Sequence, residues 1–291
     1  KELLLLSFYA SICSFPLVAY HFYSVSLVGV LANLVILPLS GLLLGFGILS
    51  AVLGLFSIPL ATFAAGSVYV ILQIYEKTCL LLTSLPFASV LVGRPTVWVI
   101  ALYGMLLLLL LYGAERKWSW LGGAAICATM WCCIFGNRML WKENLVTFLD
   151  VGQGDAAVIT TYDKRAYLID GGGIYGREFG ENTGELVILP YLQSLGINRL
   201  DGAFLSHMDR DHMFGLLEAV DALPTEALYL PDYPMTEEDA LLREVVGRRG
   251  IPLYTLGNGE ISADGAWECL YPFSGLVFET EDSNLSSLVL R

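Results

Sequence analysis

Two of the chain's three histidines fall in one six-residue run, His207-Met208-Asp209-Arg210-Asp211-His212. It follows Ser206 and the apolar stretch 200–205, so it occupies the turn at the C-terminal end of a predicted strand. A turn lets the side chains of His207, Asp209, Asp211 and His212 converge on one point, which a regular strand or helix does not. Neutral imidazole and carboxylate are the usual ligands for zinc and manganese. A metal-binding loop is expected here. The alternative for so short a motif is a solvated polar turn that binds nothing.

Three further aspartates border glycine-rich turns. Asp170 ends the predicted strand 166–169 and precedes Gly171-Gly172-Gly173, which let the backbone turn sharply. Asp150 and Asp155 flank Gly152-Gln153-Gly154. Each can orient metal ligands from behind or cap a turn, and for Asp150 and Asp155 the structural role is the expected one.

The elements that must position these residues alternate. Strands are expected over 145–151, 156–161, 166–169, 200–205, 227–230 and 252–256. Helices are expected over 185–195, stopped by Gly196, and over 214–222 and 237–247. Alternating strands and helices give an α/β or layered class.

Charge divides the chain near residue 142. Residues 1–142 hold seven Lys or Arg and three acids, a net +4, and the total of −12 therefore leaves −16 in residues 143–291. The first half is apolar enough to need lipid. A spanning helix takes about 20 mainly apolar residues. Five candidate segments are expected: 3–20; 25–56, read as a broken or re-entrant piece 24–37 and a span 38–56; 59–75, with an interfacial helix over 78–92; 97–113; and 118–135. The interval from Asn33 to Pro38 is read as a break. Broken helices at bilayer depth need protein or water around the freed backbone, so Asn33 is a pore candidate, with a simple proline kink as the alternative. Glu76-Lys77 fits either a polar path or a surface loop. Trp98, Trp118, Trp120 and Trp141 sit at segment ends, as interfacial aromatics do. Basic residues flank the last segment equally, so orientation stays open. Five of six cysteines lie in the apolar half with no CxxC pair, which argues against a disulfide framework or a cysteine zinc site. Lys1 and Arg291 both read as cut ends.

Together these residues resemble the metallo-β-lactamase superfamily, whose signature is His-x-His-x-Asp-His after a strand. The nearest branch is that of the ComEC DNA-internalisation proteins. It shares Leu149-Asp150-Val151-Gly152-Gln153-Gly154-Asp155, then Leu168-Ile169-Asp170-Gly171-Gly172, then Ser206-His207-x-Asp209-x-Asp211-His212 with Asp at the second His position. The stretches Ser14-Phe15-Pro16-Leu17, Tyr20-His21-Phe22, Leu31-Ala32-Asn33-Leu34 and Leu37-Pro38-Leu39 are similar to its membrane competence domain. Asn284 and Ser287-Leu288-Val289-Leu290 look like the strand before its next metal motif.

The resemblance implies a polytopic α-helical membrane domain followed by an α/β (αββα sandwich) metallo-β-lactamase-like domain. Residues 1–142 would be the C-terminal part of the channel domain and 143–291 the truncated N-terminal part of the hydrolase. Two divalent metal ions, manganese or zinc, are implied: His207 and Asp209 would hold one, Asp211 and His212 the other, and Asp211 would also orient the attacking water. A bridging Asp and a further His would follow Arg291. The implied activity is DNA uptake across the bacterial plasma membrane, with a metal-dependent nuclease degrading the strand left outside. Single- and double-stranded DNA and the lipid bilayer are the implied partners, with other competence proteins and a second copy of the chain left open. A domain of −16 has no net attraction for phosphate, so DNA contact would rest on metals and on local clusters such as Arg243, Arg248 and Arg249, which can equally be a solvated helix face. Two other readings stand: a channel with a non-catalytic hydrolase-like binding or gating domain, and a membrane-anchored hydrolase of another phosphodiester or lipid-like substrate.

Overall fold

Charge-poor, leucine-rich stretches set the N-terminal unit. The structure, a computed structural model, describes residues 2–113, 128–129, 144–173, 179, 183–232, 240–273 and 283–291. It divides into two units, Lys1–Ile134 and Phe135–Arg291.

The first unit contains α1 (Glu2–Phe22), β1 (Ser24–Ser26), α2 (Gly29–Gly54), α3 (Ile58–Thr83), β2 (Ser89–Leu91) and α4 (Val97–Gly113). Among the described residues three helices are long and apolar enough to cross a membrane, within Leu5–Phe22, Gly29–Gly54 and Ile58–Thr83. At 1.5 Å per residue α2 is about 39 Å long, enough for a hydrocarbon core of about 30 Å. The short link between α2 and α3 makes them antiparallel neighbours, tied by Ser50 Oγ donating to the Ala61 carbonyl at 2.9 Å. The antiparallel pairing of β1 with β2 brings the end of α1, the start of α2, the end of α3 and the start of α4 to one side. There the Arg94 guanidinium lies 4.3 Å over the Tyr20 ring.

Two expectations are corrected. The break between Asn33 and Pro38 is absent, because α2 runs unbroken through both. Asn33 instead ties helices together, its Nδ2 donating to Ser7 Oγ on α1 at 2.8 Å. The interruption at Glu76-Lys77 is absent too: α3 continues through both, and they lie exposed on it, with Gln73 Nε2 donating to Glu76 Oε2 at 3.0 Å. The physical reason is that α2 and α3 pack along each other and hold both helices through these positions, while at Pro16 a neighbouring helix meets the carbonyl that the proline frees. Pro16, inside α1, removes the N–H that would bond the Ile12 carbonyl four residues back. The buried Tyr103 on α4 donates its hydroxyl to that carbonyl at 2.7 Å. Next to Pro38, Tyr75 on α3 donates to the Ile36 carbonyl at 2.8 Å. The expected span 118–135, with Trp118, Trp120 and Trp141, lies outside the described residues apart from 128–129.

The second unit is a six-stranded mixed sheet with helices on one face. Its elements are β3 (Leu145–Phe148), β4 (Ala157–Thr160), β5 (Ala166–Ile169), a π-helical turn Gly184–Ile188, α5 (Leu189–Ser194), β6 (Gly202–Phe204), α6 (Arg210–Ala222), β7 (Leu228–Pro231), α7 (Ala240–Arg249), β8 (Leu253–Leu256), β9 (Cys269–Tyr271) and β10 (Val289–Leu290). Strand order is β3-β4-β5-β6-β7-β8. The first three strands form an antiparallel meander, and β5 to β8 run parallel with helices in their crossovers.

Strand alternation creates two cores. Ala166, Leu168, Ala203, Leu205, Leu228 and Leu230 face the helices and pack with Leu192, Leu216, Val220, Leu242 and Val245. The intervening Tyr167, Phe204 and Tyr229 face the other way and meet Leu256, Trp267 and Cys269, with β9 and β10 paired as a second small sheet beyond them. Phe204 and Tyr229 stack across the ladder with ring centroids 4.6 Å apart.

Candidate metal centre

Two loops, at the C-terminal ends of β5 and β6, where ligands gather in parallel sheets, bring the predicted side chains together. Asp170 follows β5, Ser206 and His207 follow β6, and Asp209 is the N-cap residue of α6. The α6 start therefore presents Asp209, Asp211 and His212 within one turn.

Glycines set how closely these loops approach. The Gly171 N–H donates to the His212 carbonyl at 2.8 Å, and Gly215 N–H to the Gly172 carbonyl at 3.1 Å. A Cβ on Gly171 would lie 1.8 Å from the Leu216 nitrogen, and one on Gly154 would lie 1.6 Å from the Asp211 carbonyl oxygen. Glycine is required at both by backbone-to-backbone contact, beyond any need for a turn.

Asp170 adopts a positive φ of 52° and is 4% exposed. Its Oδ1 accepts the Ser206 N–H at 2.7 Å, and its Oδ2 accepts the Ser206 hydroxyl at 2.6 Å. The same Oδ2 lies 3.0 Å from His212 Nδ1. His207, also 4% exposed, has Nδ1 2.9 Å from Ser206 Oγ and 3.4 Å from Ser287 Oγ. Its Nε2 is 3.6 Å from Asp209 Oδ2. The two imidazole centroids are 4.0 Å apart.

Burial, and next the His212 ring, hold His207 below the usual imidazole range, which leaves it neutral. Burial also disfavours charge on His212. The hydrogen bond to Asp170 and the charges of Asp170, Asp211 and Asp155 outweigh it and raise that group. Surroundings that favour a proton there favour any cation. Asp150 takes a turn role, its Oδ1 accepting the Gly152 N–H at 3.3 Å. Asp155 fixes the loops through its carbonyl, which accepts the Gly172 N–H at 2.8 Å.

Imidazole nitrogen beside carboxylate oxygen suits a divalent metal in donor chemistry, with His207 and Asp209 closing on each other and Asp170 holding His212 from behind. The donors meet in pairs: among the described residues no group of three or more His, Cys, Asp or Glu is gathered to hold an ion. Ser206 and Ser287 were missed as site residues. Ser206 had one signal, its place directly before His207; Ser287 lies 80 residues away, and its only signal was its place in the strand before the next metal motif. Two of the three arginines considered for DNA are engaged elsewhere: Arg248 and Arg249 pair with Asp221 on α6 at 2.9 and 2.8 Å.

Comparison with known proteins divides the chain in the same order. Residues 1–117 match the Competence protein family, and residues 149–281 match the Metallo-beta-lactamase superfamily, a domain type that uses divalent metal. The chain is 25% identical over 228 residues to ComE operon protein 3 of Bacillus subtilis (strain 168), covering 73% of this chain and 29% of that protein. It is 30% identical over 222 residues to Competence protein ComA of Neisseria gonorrhoeae, covering 76% of this chain and 29% of that protein. A stretch of 95 residues is 39% identical to Recombination protein 2 of Haemophilus influenzae, covering 33% of this chain and 11% of that protein. The chain thus spans less than a third of the length of these relatives.

Proposed function

The chain belongs to the ComEC family of competence proteins, and from that membership we propose that it serves DNA uptake across the plasma membrane, with its second unit acting as a metal-dependent phosphodiesterase on DNA. The membrane helices would contribute to the path of a single strand, and the hydrolase would degrade the strand that does not enter. Carried by this one observation, the packing of the His207 and His212 rings against each other, with Asp209 paired to His207 and Asp170 to His212, the hydrolase reading is the best supported.

His207 and Asp209 would hold one divalent ion, and Asp211 and His212 a second. Such ions supply an activated water and a Lewis acid for in-line phosphodiester displacement. Asp209, an oxygen donor at a position where the superfamily has histidine, shifts the preference from zinc toward manganese. Asp211, half-buried at the start of α6, would accept a proton of the attacking water and orient it. Asp170 holds His212 by Nδ1, so the ring edge bearing Nε2 is the one left to bind.

A second reading, a binding or gating domain without catalysis, is favoured by the absence of a three-donor group among the described residues. The test is incubation of the purified protein with labelled single- and double-stranded DNA in manganese, zinc or EDTA, with Asp211→Ala alongside. Cleavage that needs both metal and Asp211 supports the nuclease. Unchanged cleavage in Asp211→Ala, or none in any metal, moves the reading to binding or gating.

A further inference from the structure

One hydroxyl, Ser206 Oγ, touches both the buried Asp170 carboxylate and the buried His207 ring. We propose that Ser206 is a positioning residue that relays Asp170 to His207, so that a single carboxylate sets the tautomer of both histidines; this rests on the metal-centre reading above.

Each of these groups has a fixed number of hydrogens to share. A carboxylate only accepts, whereas a serine hydroxyl has one hydrogen to give and lone pairs to receive. The Asp170 carboxylate is held in place by the Ser206 N–H on Oδ1 at 2.7 Å. Its Oδ2 lies 2.6 Å from Ser206 Oγ, so the single hydroxyl hydrogen is committed to Asp170. What Ser206 Oγ then offers His207 Nδ1, 2.9 Å away, is a lone pair. His207 must place its hydrogen on Nδ1 to use it. His212 Nδ1, 3.0 Å from the same Oδ2, must do likewise. Both rings are thereby left with an unprotonated Nε2, and that of His207 lies toward Asp209. His212 is set directly and His207 through one intervening hydroxyl. The strand carrying β10 closes the arrangement, with the Leu288 N–H donating to the Ser206 carbonyl at 3.0 Å and Ser287 Oγ 3.4 Å from His207 Nδ1.

The relay predicts unequal effects. Losing the Ser206 hydroxyl frees the tautomer of His207 alone, while losing the Asp170 carboxylate frees both rings. Partners that orient a metal-binding histidine are worth about 10- to 100-fold in metal affinity.

The experiment uses the whole chain in detergent micelles with ¹⁵N-histidine, comparing wild type, Ser206→Ala, Ser206→Thr and Asp170→Asn. His21, the third histidine, serves as the internal reference. Ring ¹⁵N shifts are read without metal, and Mn²⁺ affinity is read by titration calorimetry. The expected result is a protonated Nδ1 on both site histidines of the wild type, a mixed tautomer at His207 only in Ser206→Ala, at both rings in Asp170→Asn, and restoration in Ser206→Thr. Mn²⁺ affinity should fall about tenfold or more in Ser206→Ala and recover in Ser206→Thr. A His207 that stays protonated on Nδ1 in folded Ser206→Ala overturns the relay, as does a wild type with Nε2 protonated. A wild type with the expected tautomers that binds no Mn²⁺ leaves the relay standing and overturns the metal reading instead.

Discussion

Asp170 and His212, 42 residues apart in sequence, meet through an Oδ2 to Nδ1 contact of 3.0 Å. That contact joins the end of β5 to the first turn of α6, and it does so inside the protein, where the carboxylate also accepts two bonds from Ser206. Asp170→Ala strands three partly buried donors at once. Leaving buried donors unmet costs about 1–3 kcal/mol each before relaxation. A fall in unfolding free energy of roughly 3 kcal/mol is expected, read by denaturant unfolding of the whole chain in micelles; a change within about 0.5 kcal/mol would show that the bonds carry no weight.

Gly171→Ala tests the close packing under the site. The added methyl would overlap the Leu216 nitrogen of α6, an atom that cannot rotate away. Overpacking of this kind costs about 1–3 kcal/mol or more. Thermal melting should show a clear loss, whereas Gly265→Ala, with no atom within 4 Å of its Cβ, should suffer only the mild cost of its positive φ.

In the membrane unit, Tyr103→Phe keeps the ring against Phe15 and removes only the hydroxyl that meets the Ile12 carbonyl. Hydrogen bonds between membrane helices are worth about 0.6–2 kcal/mol, and a loss in that range is expected by steric-trap or denaturant unfolding in micelles. Restoring the N–H by Pro16→Ala in the same background should recover the loss, since the helix then bonds its own carbonyl. Failure to recover would mean that Tyr103 acts through something other than the proline.

A pH effect belongs to Asp264, away from the site. Burial pushes its carboxyl up, but bonds from Ser262, Tyr167 and the Ala266 N–H and the charge of Arg165 outweigh it and leave the group below 3.8. A group depressed in the fold stabilises it above the ordinary carboxylate value, and that stability is lost as pH falls through the folded value. Asp264→Asn should therefore lower the melting temperature at about pH 7, and the gap from wild type should close toward about pH 3 and below. A gap that stays constant would assign the loss to packing.

Much of this was legible in sequence where one local rule decides. The segment 97–113 coincides with the helix α4, as an uninterrupted leucine run leads one to expect, although α4 is shorter than the three helices long enough to cross a membrane. The strand before Asp170 and the one before His207 follow from short apolar runs ended by turn residues. Pro38 and Asn33 misled because their effect depends on partners from other helices: α3 lies beside Pro38, with Tyr75 bonded to the Ile36 carbonyl, and Asn33 spends its amide on Ser7. At the site, the ligand-type residues share one short run and could be read together. Ser206 as a bridge and Gly171 as a contact point could not, since both are defined by atoms tens of residues away.

The most direct test of the metal centre is Mn²⁺ binding to the whole chain, followed by electron paramagnetic resonance as free manganese disappears. Wild type should remove Mn²⁺ from solution, and His207→Ala with His212→Ala should abolish that uptake while the circular dichroism of the fold is kept. Equal uptake by wild type and the double variant, or none by either, would contradict a metal centre on this loop.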